Sequence, residues 1–200
     1  YDARLVGSVT YAAGVFGQAF DLKPAGGWVE TAAPAVTQVD DWTLETWVFW
    51  RGLDPLEAHR AHFPLYVGHS GKNGFGLFIA DRGSCKLESW TCGKEGMLFV
   101  LYGGIAGIPT GYYPKPHTWT HLALTRSDGV LRLYADGLDV FSLRKADPYR
   151  PVEPVYIGHF DPEEVFDGLV DEPRVWSRAL TAREIRAIYR VGALRLAVGR

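Results

Sequence analysis

The stretch Asp41-Trp-Thr-Leu-Glu-Thr-Trp-Val-Phe-Trp-Arg51 decides the fold. Side chains of a β-strand alternate between two faces, and in this stretch both faces are apolar enough to require cover. One face carries Trp42, Leu44, Thr46, Val48 and Trp50, and the other carries Thr43, Glu45, Trp47 and Phe49. β-branched and aromatic residues fill the stretch without Pro or Gly, which favours a strand over a helix. We therefore expect an inner strand that lies between two layers of structure.

Short segments with strand-like sequence occupy most of the remaining chain. They are predicted over residues 4–11, 19–22, 28–30, 62–69, 74–80, 85–92, 97–102, 118–125, 130–134, 138–143, 155–158 and 166–176. Turn sequences such as Ser127-Asp-Gly129 and Asp136-Gly137 join neighbouring segments as hairpins. Many short strands at hairpin spacing predict an all-β fold, a two-sheet antiparallel β-sandwich of jelly-roll type. We expect residues 1–200 to form a single domain.

One segment near the C-terminus favours a helix. Thr181-Ala-Arg-Glu184 has the pattern of a capping box, and Ile185, Ile188 and Tyr189 then fall on one helical face. Gly192 is predicted to follow the last turn, because glycine commonly terminates helices. The sequence thus predicts one short surface helix beside the sandwich.

Composition and charge exclude several classes of function. The hydrophobic content of 47% and the aromatic content of 14% suffice for one large core. Lys and Arg number 21 against 23 Asp and Glu, so the formal net charge of -2 provides no basic surface for nucleic acid or a membrane. The uncharged run from Gly96 to Pro114 approaches the length of a membrane span, but its glycines and prolines interrupt it. We expect neither nucleic-acid binding nor membrane insertion.

The two cysteines, Cys85 and Cys92, flank a short predicted strand. A hairpin disulfide and a pair of buried thiols are both favoured over a redox pair, because the spacing differs from that of redox motifs. A disulfide would indicate an extracellular setting. The N-terminus, Tyr1-Asp-Ala-Arg4, lacks the basic and apolar regions of a signal peptide, so we expect a mature domain or one excised from a longer protein.

Several phrases resemble one protein family when they are taken in their order along the chain. They are Gly14-Val-Phe-Gly17-Gln-Ala-Phe20, Trp42-Thr-Leu-Glu-Thr-Trp47, Trp119-Thr-His-Leu-Ala-Leu124, Leu133-Tyr-Ala-Asp-Gly137, Tyr156-Ile-Gly158, Phe166-Asp-Gly-Leu-Val-Asp-Glu-Pro-Arg-Val-Trp176 and Arg178-Ala-Leu-Thr181 followed by Glu184-Ile185. Together they are similar to a laminin G-like domain of the concanavalin A-like jelly-roll superfamily. The resemblance implies two antiparallel sheets, commonly a calcium site, and non-catalytic binding of carbohydrates or proteins. The family's usual opening strand is missing or shortened, since Tyr1 begins late in that pattern.

The acidic residues do not match the catalytic patterns of enzymes with this fold. Glycoside hydrolysis needs two carboxylates at a controlled separation. Glu45 has Thr43 and Trp47 beside it on its own face, so we interpret it as a buried carboxylate satisfied by hydrogen bonds or an arginine. Asp171 and Glu172 are adjacent in a predicted strand and would point to opposite faces. We expect no enzymatic activity, and a polysaccharide-active enzyme is the weaker alternative.

The resemblance also implies a structural calcium held by Asp21 and Asp171. Related domains bring these two segments together at one edge, and carboxylate oxygens are the ligands that calcium prefers. The alternative interpretation is that Asp171 caps a turn and Asp21 is solvated. The acidic loop at 161–164 is a second, weaker metal candidate.

Sugar binding requires aromatic rings for the apolar face of a sugar and polar groups for its hydroxyls. Tryptophans inside the family phrases are interpreted as core residues. The candidate ligand contacts are Trp50, Arg51, Tyr66, His69, Asn73, Trp90, Tyr112, Tyr113 and His159, with Trp28 as a further aromatic candidate. We expect an extracellular or cell-surface module that binds a polysaccharide or glycan, within a chain that carries other domains. The principal alternative is an adhesion or protein-interaction domain that uses the same loops.

Overall fold

The computed structural model describes residues 3–24, 26–31, 39–54, 61–68, 74–82, 92–103, 105–144, 146–150, 154–161 and 164–199. Within those ranges the strands are β1 (Ala3–Gly7), β2 (Thr10–Ala13), β3 (Gln18–Leu22), β4 (Gly27–Thr31), β5 (Trp42–Trp50), β6 (Ala61–Val67), β7 (Phe75–Ala80), β8 (Leu98–Tyr102), β9 (Ile105–Pro109), β10 (Trp119–Ser127), β11 (Val130–Ala135), β12 (Leu138–Arg144), β13 (Val155–Ile157), β14 (His159–Asp161), β15 (Glu164–Val165) and β16 (Gly168–Trp176). The helix is α1 (Ala182–Val198).

The described strands form two seven-stranded sheets and a small ribbon. Sheet A has the order β1-β4-β13-β6-β7-β8-β9, and sheet B has the order β12-β11-β10-β5-β16-β3-β2. β14 and β15 pair with each other as the ribbon and pack against β6. Neighbouring strands pair antiparallel throughout both sheets. The predicted antiparallel sandwich with a C-terminal helix is confirmed.

β5 lies at the centre of sheet B, between β10 and β16, as its sequence predicts. The side chains of Trp42, Leu44, Val48 and Trp50 belong to the main core between the two sheets. The Trp42 ring stacks on Phe75 of sheet A, with centroids 3.8 Å apart. Trp47 points to the opposite face of sheet B, where α1 covers it. The strand is therefore buried on both sides because the helix covers the face that the second sheet leaves free.

The outer face of sheet A carries a second buried cluster, which includes Phe63, Phe78 and Phe99. Tyr66 belongs to it, because Gly74 and Gly76 leave space for its ring. A Cβ atom at Gly76 would lie 2.6 Å from Tyr66 Cδ2, and one at Gly74 would clash with the hydroxyl. The tyrosine ring fits there only because Gly76 of β7, and Gly74 just before that strand, have no side chains.

The helix begins as predicted but extends further than predicted. The Thr181 hydroxyl accepts from the backbone N–H of Glu184, and the Glu184 carboxylate accepts from the N–H of Thr181, which completes a capping box. The prediction that Gly192 follows the last turn is wrong, since α1 continues to Val198. Gly192 instead lies against the Trp47 indole, where a Cβ atom would approach Cζ2 to 2.2 Å. Among the described residues, no helix combines the length and the apolar character needed to cross a bilayer.

Candidate functional site

The outer face of sheet A carries a group of aromatic and charged side chains on β4, β13 and β14. Val29 and Ile157 point into the main core, so their neighbours along the strands point outward. These outward residues are Trp28, Glu30, Tyr156 and, on the ribbon, His159, and we call the four of them the β4–β13 platform. Trp28, Glu30 and Tyr156 are half-buried, whereas His159 is buried.

Stacking and pairing hold the β4–β13 platform together. The Trp28 indole and the His159 imidazole stack with centroids 4.1 Å apart and an angle of 16° between their planes. Tyr156 packs edge-on against His159 at 6.0 Å. Strand register places Glu30 directly opposite both Tyr156 and Arg4, and the Arg4 guanidinium lies 3.4 Å from the Glu30 carboxylate. The result is the Trp28 indole stacked on His159, with the Tyr156 ring edge-on to His159 and with a carboxylate and an arginine beside the indole.

Arg51 joins three segments where β5 leaves sheet B. Its guanidinium donates to Asp21 Oδ1 at 2.6 Å, to Asp167 Oδ1 at 2.9 Å and to the Leu22 carbonyl oxygen at 3.0 Å. The three side chains are only partly exposed. Arg51 therefore acts as a bridge between β3, β5 and the start of β16, and its donors are largely occupied within the protein.

The predicted calcium ligands each have other partners in this structure. The Asp21 carboxylate pairs with Arg51. Asp171 is buried, and its two oxygens accept from the backbone N–H groups of Phe16 and Glu172, both at 2.8 Å. Within the described ranges, no group of three or more His, Cys, Asp or Glu side chains is arranged to hold a metal. Asp171 caps the turn at 14–17 and Asp21 is ion-paired rather than solvated, and calcium binding stays a prediction that depends on the resemblance.

A buried charged network lies on the outer face of sheet B. Trp176 Nε1 donates to Glu45 Oε1 at 3.0 Å, Arg174 Nη1 lies 3.4 Å from the same oxygen, and His121 Nε2 lies 3.4 Å from Oε2. Burial alone would raise the pKa of Glu45, but His121, Trp176 and Arg174 outweigh it and hold that pKa below its usual value. The interpretation of Glu45 as a buried carboxylate held by hydrogen bonds and an arginine is confirmed at Oε1, whereas the only contact found for Oε2 among the described residues is His121.

The strand that carries Asp171 and Glu172 is not regular. The register of β16 against β5 shifts between Asp171 and Arg174, and Glu172 has φ of 50°. This bulge places the Glu172 carboxylate against the Arg174 guanidinium, while Asp171 turns to the loop at 14–17. The two acids are separated, as simple strand alternation predicts, although a bulge contributes to the separation.

The remaining predicted contacts are distributed over different regions. Trp50 and Tyr66 are buried in the main core and in the outer cluster of sheet A, so neither presents an aromatic surface to solvent. Tyr112 packs against the main core, whereas Tyr113 is 51% exposed. His69, Asn73 and Trp90 lie outside the described residues. Of the predicted residues, the structure thus brings Trp28 and His159 into contact and leaves Tyr113 exposed at a separate place.

The second cysteine, Cys92, is disulfide-bonded. Cys85, the other cysteine of the chain, lies outside the described residues. A disulfide is the first of the two states that the sequence favoured, and it excludes a free thiol at Cys92.

Sequence reasoning missed Glu30, Arg4 and Tyr156 as members of the candidate surface. The spacing of Trp28 and Glu30 contained a signal, because residues two apart in a strand share a face. Tyr156 lies in a family phrase and was not considered as a contact, and Arg4 joins the β4–β13 platform only through the pairing of β1 with β4. Long-range strand pairing of this kind has no local signal in the sequence.

Comparison with protein families identifies the fold independently. Residues 23–186 match a laminin G model of the concanavalin A-like lectin/glucanases superfamily. A comparison with curated proteins found no match.

Several solved structures share the architecture. Domain 4 of AbnA, a GH43 extracellular arabinanase from Geobacillus stearothermophilus, solved in complex with arabinotriose, has a TM-score of 0.74 and 18% identity over 94% of this chain and 87% of that one. The binding domain of Paraclostridial Mosquitocidal Protein 1 has a TM-score of 0.71 and 14% identity over 94% of this chain and 47% of that one. A Trypanosoma rangeli sialidase has a TM-score of 0.67 and 19% identity over 94% of this chain and 29% of that one. At these sequence identities the similarity shows a shared fold and nothing further.

Proposed function

The chain belongs to the concanavalin A-like lectin/glucanase superfamily, and from that premise we propose that it is a non-catalytic carbohydrate-binding module of an extracellular protein. The observation that carries the proposal is the β4–β13 platform, in which the half-buried indole of Trp28 is stacked on His159 beside Glu30. The arabinanase domain of the same fold was solved with arabinotriose, which makes a polysaccharide the first ligand to test.

The chemistry of the β4–β13 platform suits a sugar. The apolar face of a pyranose or furanose ring packs against an aromatic ring, and its hydroxyls need acceptors and donors at the edge of that ring. Glu30 accepts from Trp28 Nε1 and pairs with Arg4, both at 3.4 Å, so its remaining lone pairs are the acceptors for sugar hydroxyls, and the exposed Arg4 supplies donors. The His159 ring supports the indole from behind, so Trp28 is held in place before a ligand arrives.

The non-catalytic part of the proposal rests on the sequence, which lacks the paired carboxylates of glycoside hydrolysis. Two further acids serve the protein internally: Glu45 is buried beside Trp176, Arg174 and His121, and Asp171 holds two backbone N–H groups. An extracellular setting is supported by the disulfide at Cys92 and by the extracellular arabinanase that shares the fold. If the module instead hydrolysed a bound polysaccharide, reducing ends would accumulate on incubation, and that result would refute the non-catalytic part of the proposal.

Affinity electrophoresis and calorimetry against a panel of polysaccharides that includes arabinan test the proposal. We expect the unmodified protein to bind at least one of them and Trp28→Ala to weaken binding by roughly tenfold or more. Tyr11→Ala is the matched control, since Tyr11 is 51% exposed on β2 of the other sheet. Circular dichroism and the melting temperature confirm that each variant is folded.

Two outcomes count against the proposal in different ways. Absence of binding to every polysaccharide by the folded protein would overturn carbohydrate binding itself. Loss of binding in Tyr113→Ala with full binding in Trp28→Ala would retain the function and move the site to the exposed loop at Tyr113.

A further inference from the structure

The outward face of α1 is apolar, although the opposite face already packs on the sandwich. Ile185 and Gly192 are buried against sheet B, as expected for a surface helix. On the other side, Val191, Leu194 and Val198 are 54%, 66% and 81% exposed. Together with the exposed Ala187 they form what we call the outer stripe, with successive spacings of four, three and four residues.

The spacing of the outer stripe is that of a helix–helix seam. Alternating steps of three and four residues are the a and d positions of a heptad repeat, whose side chains insert between those of a facing helix. At 100° per residue the stripe spans about 60° of the helix circumference, which is narrower than the roughly 100° face that a helix buries against a core or bilayer. The stripe extends over about 17 Å of the helix axis, which corresponds to about two heptads.

The borders of the outer stripe are basic. Arg183 and Arg190 lie on one side and Arg195 lies on the other, and all three are exposed. The one acid of α1, Glu184, is paired with Arg178. Among the described residues, Arg183 and Arg190 have no ion-pair partner. A second copy of the helix would place arginine against arginine in either orientation, so the charges oppose self-association and favour an acidic partner.

A pocket of about 530 Å³ lies beside the same helix, between α1 and the turn that joins β11 to β12. Its lining consists of Leu138, which is 62% exposed, Tyr189, Asp136, Arg186 and Arg190. The pocket thus adjoins the basic border on the side of Arg190.

From these contacts and charges we infer that the outer stripe is a docking surface for an acidic amphipathic helix of another protein or domain. The partner helix lies along α1 with aliphatic residues on Ala187, Val191, Leu194 and Val198, and its flanking carboxylates pair with the arginines at the borders. This surface lies on the side of the sandwich opposite the β4–β13 platform, so both can be occupied at once.

A designed probe tests the inference on the intact chain. The probe is a fluorescent helical peptide of about three heptads, with leucine at a and d and glutamate at e and g, and its control has lysine in place of glutamate. We expect the acidic peptide to raise the anisotropy with a saturable curve, the basic peptide to show no binding, and the affinity to fall as salt is raised from about 50 to about 500 mM.

Substitutions test whether the peptide binds at the outer stripe. Leu194→Glu should weaken binding roughly tenfold or more, and Arg190→Glu should weaken it as well. Leu5→Glu is the matched control, because Leu5 is 44% exposed on β1 of the other sheet, and it should bind like the unmodified protein. The melting temperatures of the variants report folding, and the helical signal of the partner peptide should rise on binding.

Three results would overturn the inference. In the first, Leu194→Glu binds the acidic peptide as tightly as the unmodified protein does. In the second, the acidic and basic peptides bind the unmodified protein equally well. In the third, the unmodified protein forms a dimer that Leu194→Glu abolishes. Binding to vesicles of phosphatidylcholine and phosphatidylglycerol without binding to the peptide would likewise refute a helical partner in favour of a lipid surface.

Discussion

Replacing Gly192 with alanine changes both helix propensity and packing. Helix propensity predicts a higher free energy of unfolding, whereas packing predicts a lower one. The added methyl group would lie 2.2 Å from Trp47 Cζ2 and 2.7 Å from Cε2. Carbon atoms pack at about 3.5–4.0 Å, so one partner has to move by more than about 1 Å. Trp47 is 1% exposed, and its ring contacts those of His121 and Tyr189 at centroid distances of 5.1 and 5.8 Å, so a movement of the indole would displace neighbouring rings.

Two effects determine how much Gly192→Ala changes the free energy of unfolding. Alanine is favoured over glycine inside a helix by about 1 kcal/mol. Overpacking a rigid core site costs about 1–3 kcal/mol, and a clash on an immobile indole is at the upper end of that range. We therefore expect Gly192→Ala to lower the free energy of unfolding by about 1–2 kcal/mol, which for a chain of this length lowers the melting temperature by about 2–4 °C per kcal/mol.

Urea unfolding followed by tryptophan fluorescence and far-ultraviolet circular dichroism measures the change. Ala187→Gly is the matched control, because Ala187 is exposed on the same helix and reports propensity without packing. In the background of Trp47→Phe, the smaller ring should relieve the clash and reduce the cost of Gly192→Ala. If Gly192→Ala instead stabilises the protein by about as much as Ala187→Gly destabilises it, the proposed contact does not constrain the helix and our explanation is refuted.

Three further predictions concern charge. Glu45→Gln should lower the free energy of unfolding by about 1–3 kcal/mol at pH 7, because it removes the charged partner of His121, Trp176 and Arg174. The pKa of Glu45 is depressed in the folded state, so this difference in free energy should shrink as the pH falls below about 4.5. A difference that does not change with pH would contradict this prediction. Arg178 and the cap at Thr181 lower the pKa of Glu184 to about 2, so the stability that its carboxylate contributes is present above pH 4.5 and is lost as the pH falls towards 2. The stability of Glu184→Gln, measured by unfolding curves at several pH values, should therefore lack this part of the acid dependence. A structural calcium predicts that a chelator lowers the melting temperature and that added calcium restores it, and a melting temperature unchanged by both would exclude the metal.

Much of the fold follows from local patterns in the sequence. β5 is read correctly because nine residues with two apolar faces can be buried only between two layers. The start of α1 is read correctly because a capping box acts over four residues. The end of α1 was misplaced because the role of Gly192 depends on Trp47, a residue 145 positions earlier in the chain.

The candidate site was only partly accessible from the sequence. Trp28 and His159 were both identified as possible contacts, yet their contact depends on the pairing of β4 with β13 and on the ribbon that follows β13. Tyr66 looks like any other strand tyrosine in the sequence, and its burial depends on Gly76 of the neighbouring strand and on Gly74 just before it. The resemblance implies that Asp21 and Asp171 act as a pair, whereas Arg51 bonds to Asp21 and the backbone N–H of Phe16 bonds to Asp171.

The sequence by itself determined the architecture: the alternation of apolar residues, the turns and the helix cap are short-range properties, and burial of the apolar faces then requires two sheets and a covering helix. Tertiary structure alone decided the surfaces. The β4–β13 platform exists because distant strands pair in one register, and the outer stripe is exposed because Trp47 and Gly192 fix which face of α1 turns inward. Local sequence sets the spacing of side chains, but only the packed sandwich sets which of them meet and which remain available to a partner.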